Sequence, residues 1–173
     1  YTYDALGALT DVASPGGITR QWRFDAKHFL QSETHPESGK TTYEPDAVGN
    51  VRKRTDATGQ FVHYEYDGNN RLTEVKPNGR PDYDTSMTYD GSDNRLTANN
   101  SHVHTTWTFD GANRLTVRTD VIGGRTLVTE YVPDTLDRVS HLWYPSWSEM
   151  PTSARRIVRY QYDGAGRIND IRD

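Results

Sequence analysis

An aromatic-x-aromatic-Asp motif, followed by a Gly or Asn turn residue and an Arg-Leu step, recurs eight times along this 173-residue chain. A repeat with such a period usually is the fold, so it constrains the chain more than any single residue does. The register is set by Asp4, Asp25, Asp46, Asp67, Asp90, Asp110, Asp134 and Asp163, spaced 21, 21, 21, 23, 20, 24 and 29 residues apart. Three residues before each aspartate stands Tyr1, Trp22, Tyr43, Tyr64, Met87, Trp107, Tyr131 or Tyr160. One residue before it stands Tyr3, Phe24, Pro45, Tyr66, Tyr89, Phe109, Pro133 or Tyr162.

Residues two apart on a β-strand share a face, so the two large side chains of each motif stand side by side. The residue between them is Thr2, Arg23, Glu44, Glu65, Thr88, Thr108, Val132 or Gln161, polar in seven of eight cases. That alternation is a strand's and not a helix's. The aspartate suits the first position of a turn, where its carboxylate accepts a backbone hydrogen bond from two residues on. The residue three places later must tolerate a left-handed backbone. The chain offers Gly7, His28, Gly49, Asn70, Asp93, Asn113, Asp137 and Gly166, all of the tolerant set; in the fifth repeat an extra residue makes Asn94 a rival for the role.

The return strand opens with Leu9, Leu30, Val51, Leu72, Leu96, Leu115, Val139 or Ile168, preceded in five repeats by Arg71, Arg95, Arg114, Arg138 or Arg167. Further turns are marked by Gly16-Gly17, Gly39, Gly59, Asn78-Gly79 and Gly123-Gly124. Each repeat thus reads as one β-hairpin with strands of about six residues. The fold class expected is all-β: an antiparallel array of eight hairpins in a long curved sheet, almost without helix.

The YxYDxxGRL unit, clearest at Tyr64 to Leu72, Trp107 to Leu115 and Tyr160 to Ile168, resembles the RHS/YD-repeat family. That family includes bacterial RHS polymorphic toxins, the insecticidal toxin complexes and the animal teneurins. The resemblance covers essentially the whole chain. It implies a strip of a β-shell, or cocoon, that encapsulates a toxic polypeptide or forms a hollow scaffold; some members are linked to cell-surface carbohydrates. It also implies a secreted or cell-surface location, with further YD repeats or an enclosed polypeptide as partners. This sequence departs from the pattern at Pro45 and Pro133, where strands are expected to stop early or lack a ladder bond, and at His28 and Phe29, where the family has Gly and Arg.

Composition agrees with a thin sheet. Only 33% of residues are hydrophobic, and mean hydropathy is −0.90. Thirteen of the nineteen aromatics occupy the two ladder positions, so the ladder is the core. The length suits one domain, residues 1–173, and the lack of polar caps makes it an expected excerpt of a longer array; the alternative is a small closed barrel or an oligomer. A net charge of −4 and a pI near 5.9 argue against a nucleic-acid partner. No apolar run is long enough for a membrane span. The absence of cysteine excludes disulfides and thiolate metal sites.

Three groups of residues invite functional readings. Residues 140–158 form an expected insertion loop carrying Trp143, Tyr144 and Trp147, either a lid over the ladder or an aromatic platform for glycans or a partner. The motif aspartates have enough to do in their turns, and their spacing is not that of a calcium loop. His102 and His104, two apart, lack a placed third metal ligand. No cofactor fingerprint or catalytic motif is present, so no catalytic, metal or cofactor-binding residue is nominated and the chain is expected not to be an enzyme. The structural ladder is expected to rest on Tyr3-Asp4, Phe24-Asp25, Tyr66-Asp67, Tyr89-Asp90, Phe109-Asp110 and Tyr162-Asp163.

Overall fold

The computed structural model describes residues 1–147 and 155–173. Apolar–polar alternation, broken at regular intervals by aspartate-led turns, yields sixteen strands and a short 3-10 turn at Pro81–Tyr83. The chain divides into two compact units, Tyr1–Asp84 and Thr85–Asp173. The first contains β1 (Thr2–Tyr3), β2 (Leu9–Ser14), β3 (Ile18–Phe24), β4 (Leu30–His35), β5 (Gly39–Pro45), β6 (Val51–Thr55), β7 (Phe61–Tyr66) and β8 (Leu72–Pro77). The second contains β9 (Thr85–Tyr89), β10 (Arg95–Asn99), β11 (Val103–Phe109), β12 (Leu115–Ile122), β13 (Arg125–Pro133), β14 (Val139–Trp147), β15 (Ile157–Tyr162) and β16 (Ile168–Arg172). Within each unit every strand pairs antiparallel with the next.

The registers repeat as closely as the sequence does. Tyr66 pairs with Leu72 and Glu65 with Glu74, so Thr73 is left over as a one-residue bulge. The same skip falls on Thr10, Gln31, Arg52, Leu96, Thr116, Ser140 and Asn169. Each hairpin therefore carries a bulge just inside its return strand, which adds local right-handed twist. In the fifth repeat Asp93, at φ 66°, takes the left-handed position as expected, and its rival Asn94 does not. Arg95, not Leu96, then pairs with Tyr89.

Two further expectations change. Of the two outcomes expected at the prolines, strands β5 and β13 do not stop early, for Pro45 and Pro133 pair with Val51 and Val139, while neither proline has an N–H to give the ladder. Each proline is the last strand residue beside a bulge, where the ladder is already interrupted. Residues 140–147 are no insertion loop but most of β14, and β15 begins at Ile157; residues 148–154 lie outside those described. β13 is nine residues long, and its length lets β14 continue beside it as far as the Leu127–Trp147 pair. Aromatic side chains suit that strand.

The core is thin. Met87 and Val158 are the buried hydrophobic residues, and no large side chain among the described residues is wholly buried. From the second repeat onward the ladder positions are buried or half-buried, whereas all eight intervening residues are exposed. Each unit thus presents one aromatic ladder face and one polar face.

Candidate functional site

Every motif aspartate builds the same turn. In the fourth repeat, the Asp67 amide donates to the Arg71 carbonyl and the Asn70 amide donates back to the Asp67 carbonyl. Asp67 Oδ1 accepts from the amides of Asn69 (2.9 Å) and Arg71 (3.0 Å), and Oδ2 from Arg71 Nε (2.7 Å). Arg114, Arg138 and Arg167 grip Asp110, Asp134 and Asp163 in the same way, while Asn50 and Asn94 substitute an amide on Asp46 and Asp90. The amide and guanidinium donors favour the ionised acid and hold the Asp67 and Asp110 carboxyls below the usual range. All eight predicted left-handed residues have positive φ. A ninth copy of the turn, led by Asp56 with Gly59 left-handed, follows β6 and joins it to β7. It was legible in Asp56-Ala-Thr-Gly59, but no aromatic precedes it.

Neighbouring turns also hold one another. Within a unit, the residue after a left-handed position can reach the left-handed residue of the next repeat: Asn50 Nδ2 donates to Asn70 Oδ1 at 2.9 Å, and Asn94 to Asn113 at 2.5 Å. Arg114 Nη1 donates to Asp137 Oδ1 at 3.0 Å. Where that residue is Phe29 or Arg138, the facing position is Gly49 or Gly166. A Cβ on Gly49 would lie 2.7 Å from the Phe29 ring. In the first pair, Asp4 Oδ2 meets His28 Nε2 at 2.9 Å, which gives His28 its purpose. Ladder tyrosines add a second tie: Tyr66 donates to the Val51 carbonyl (3.0 Å) and Tyr162 to that of Val139 (2.8 Å).

The ladder face is not uniformly apolar. Glu33 lies opposite Trp22 on that face, accepts from the Tyr43 hydroxyl at 2.6 Å and meets His35 at 3.3 Å. The Tyr43 hydrogen bond is the main cause that lowers the Glu33 carboxyl below its usual value, while burial pushes the Tyr43 hydroxyl up. In the second unit Asp120, nearly buried, accepts from Thr105 (2.7 Å) and from Arg118 Nη2 (3.0 Å). An apolar groove of about 270 Å³ opens there between Tyr131, Leu142, Tyr160 and Tyr162.

Of the expected aromatic platform, the side chains of Trp143 and Tyr144 are among those described. Trp143 and Tyr144 are neighbours on β14, so their rings point to opposite faces. Trp143 is half-buried, with the Arg155 guanidinium 5.6 Å from its ring; Arg155 also donates to Glu130 at 2.6 Å. Tyr144 is exposed beside Arg156. The side chain of Trp147 lies outside those described. His102 sits in the turn before β11, and His104 on the exposed polar side of β11. Of the five arginines before the expected aliphatic positions, Arg95 alone leaves the turn; its guanidinium stacks 4.3 Å over Trp107.

The RHS Repeat family model matches residues 3–41 and 46–81. Crystal structures of TcdB2-TccC3 with Cdc42 and of TcdB2-TccC3 resemble the chain with TM-scores of 0.75 and 0.74, each at 16% identity over 94% of this chain. The Tc holotoxin pore of Photorhabdus luminescens matches with a TM-score of 0.50 at 13% identity, over 96% of this chain and 13% of that one. This chain spans a tenth, 10%, of the TcdB2-TccC3 chains it matches. No protein of curated function matches it in sequence.

Proposed function

From the match of residues 3–41 and 46–81 to the RHS Repeat family model and the likeness of fold to the TcdB2-TccC3 structures, we propose that this chain is a structural repeat module that forms part of a wall around an enclosed polypeptide and turns its ladder face inward. One observation carries this reading: an aromatic face left half-exposed along the described strands of each unit, backed by a polar face. A lone sheet gains nothing from such a face unless another chain covers it. The wall itself performs no chemistry; its task is to hold register while it shields what it contains. A toxin-associated protein acting outside the producing cell fits this role. No described helix is long and apolar enough to cross a membrane. The adhesion alternative has weaker support, because Trp143 and Tyr144 do not share a face.

The test uses the array within its native flanking sequence. A photo-crosslinking phenylalanine analogue replaces Tyr66 on the ladder face or Glu65 on the polar face. Adducts to an internal polypeptide from Tyr66, and none from Glu65, support the reading. Equal adducts from both positions would overturn it.

A further inference from the structure

The ladder face breaks its own pattern once. Seven repeats open the return strand with an aliphatic side chain, but the fifth places Arg95 there, opposite Tyr89. The Arg95 guanidinium stacks over Trp107, is exposed and makes no ion pair among the described residues. On the other side of Trp107, its strand partner is Arg118, whose side chain is 45% exposed. Arg125, opposite Ile122, adds a third exposed cation to the same face. Among the described strand residues of that face in the second unit, Asp120 is the one carboxylate, and Thr105 and Arg118 already occupy it. In a chain whose net charge is −4, the ladder face of this unit is therefore cationic.

A guanidinium stacked on an indole is held by the ring quadrupole and keeps its N–H edge free for bidentate carboxylate binding. The surrounding Met87, Tyr89 and Phe109 supply apolar contacts that a hydroxyl-rich sugar would use poorly.

We infer that the ladder face of the second unit docks an extended acidic peptide segment. Its carboxylate is taken by Arg95, and its apolar side chains by the ladder. The inference rests on the reading that this face is turned toward a polypeptide, and adds the chemistry that the polypeptide must have.

Fluorescence anisotropy with labelled peptides of alternating Leu and Glu, Leu and Gln, or Leu and Lys tests it directly. The Glu peptide should bind about tenfold more tightly than the Gln peptide, the scale of one charge-assisted pair, and the Lys peptide least. Arg95→Leu, which restores the residue type of the other repeats, should abolish that preference without lowering the melting temperature. The preference should also shrink as salt rises. Equal binding of Glu and Gln peptides, or a preference that survives Arg95→Leu, overturns the inference. So does binding of a uronate-rich oligosaccharide with no peptide binding, or no binding at all. Equal binding of all three peptides leaves the enclosure reading intact, because that reading is judged by the crosslinks from Tyr66.

Discussion

The tie between neighbouring turns makes a quantitative prediction at Gly49. Alanine there meets two costs. At φ 101° a Cβ is strained, by about 1–2 kcal/mol. The new methyl would also lie 2.7, 3.0 and 3.1 Å from three carbons of the Phe29 ring. Carbon pairs normally settle at about 3.5–4.0 Å, so the ring must give way, at a further cost of about 1 kcal/mol or more. Gly59→Ala is the control: it occupies the equivalent position of the Asp56 turn at φ 85°, with nothing within 4 Å of its would-be Cβ. Urea unfolding at constant m-value should show Gly49→Ala losing about 2–3 kcal/mol and Gly59→Ala about 1–2 kcal/mol, with the difference of about 1 kcal/mol set by the Phe29 ring. In a Phe29→Ala background the excess at Gly49 should vanish, a coupling that a double-mutant cycle measures. If both glycine variants cost the same and Phe29→Ala leaves Gly49→Ala unchanged, neighbouring turns are not in contact and the lateral tie is wrong.

Two other outcomes follow from the carboxylates. Asp67, Asp110, Asp134 and Asp163 have folded-state values below the ordinary 3.8, and Asp11 is lowered to about 2 by Arg23. A depressed value contributes stability that is complete above the unfolded value and lost as pH falls through the folded one. The melting temperature should therefore hold from neutrality to about pH 5 and fall steadily toward about pH 2; a flat profile over that acid range would contradict the turn geometry. Tyr43→Phe should cost about 1 kcal/mol at neutral pH by removing the hydrogen bond to Glu33, and should raise the Glu33 carboxyl toward 4.5. NMR titration of Glu33 and unfolding at pH 7 check both parts.

The fold was largely legible because each repeat repeats its own evidence. Alternation, aspartate and left-handed residue agree at eight places, so an exception such as Pro45 could not hide the pattern. What escaped notice lies between repeats. Pairings such as Asn50 with Asn70 and Phe29 with Gly49 join residues twenty apart. Local propensity carries no term for such pairs, although their spacing follows the repeat. Arg95 belongs to an Arg-Leu step that matches the motif but stands one place late, so an unchanged turn and register put Arg95 where the other repeats have an aliphatic. Residues 140–147 read as loop because long spacing suggests one, when β13 and β14 can simply lengthen together to nine residues each.

The absence of any wholly buried large side chain among the described residues has a consequence for how such a chain can change. With no common interior, no repeat has to fit all the others; it has to fit only the one before and the one after. The matched residues at the turn edge, Asn facing Asn, Arg facing Asp, Phe or Arg facing Gly, then act like the teeth of a coupling. A hairpin can be duplicated, deleted or transplanted from another array, provided the tooth it presents meets the socket it is given. The array can therefore lengthen by copying, and mismatched joints rather than mismatched cores set the limit on which copies survive.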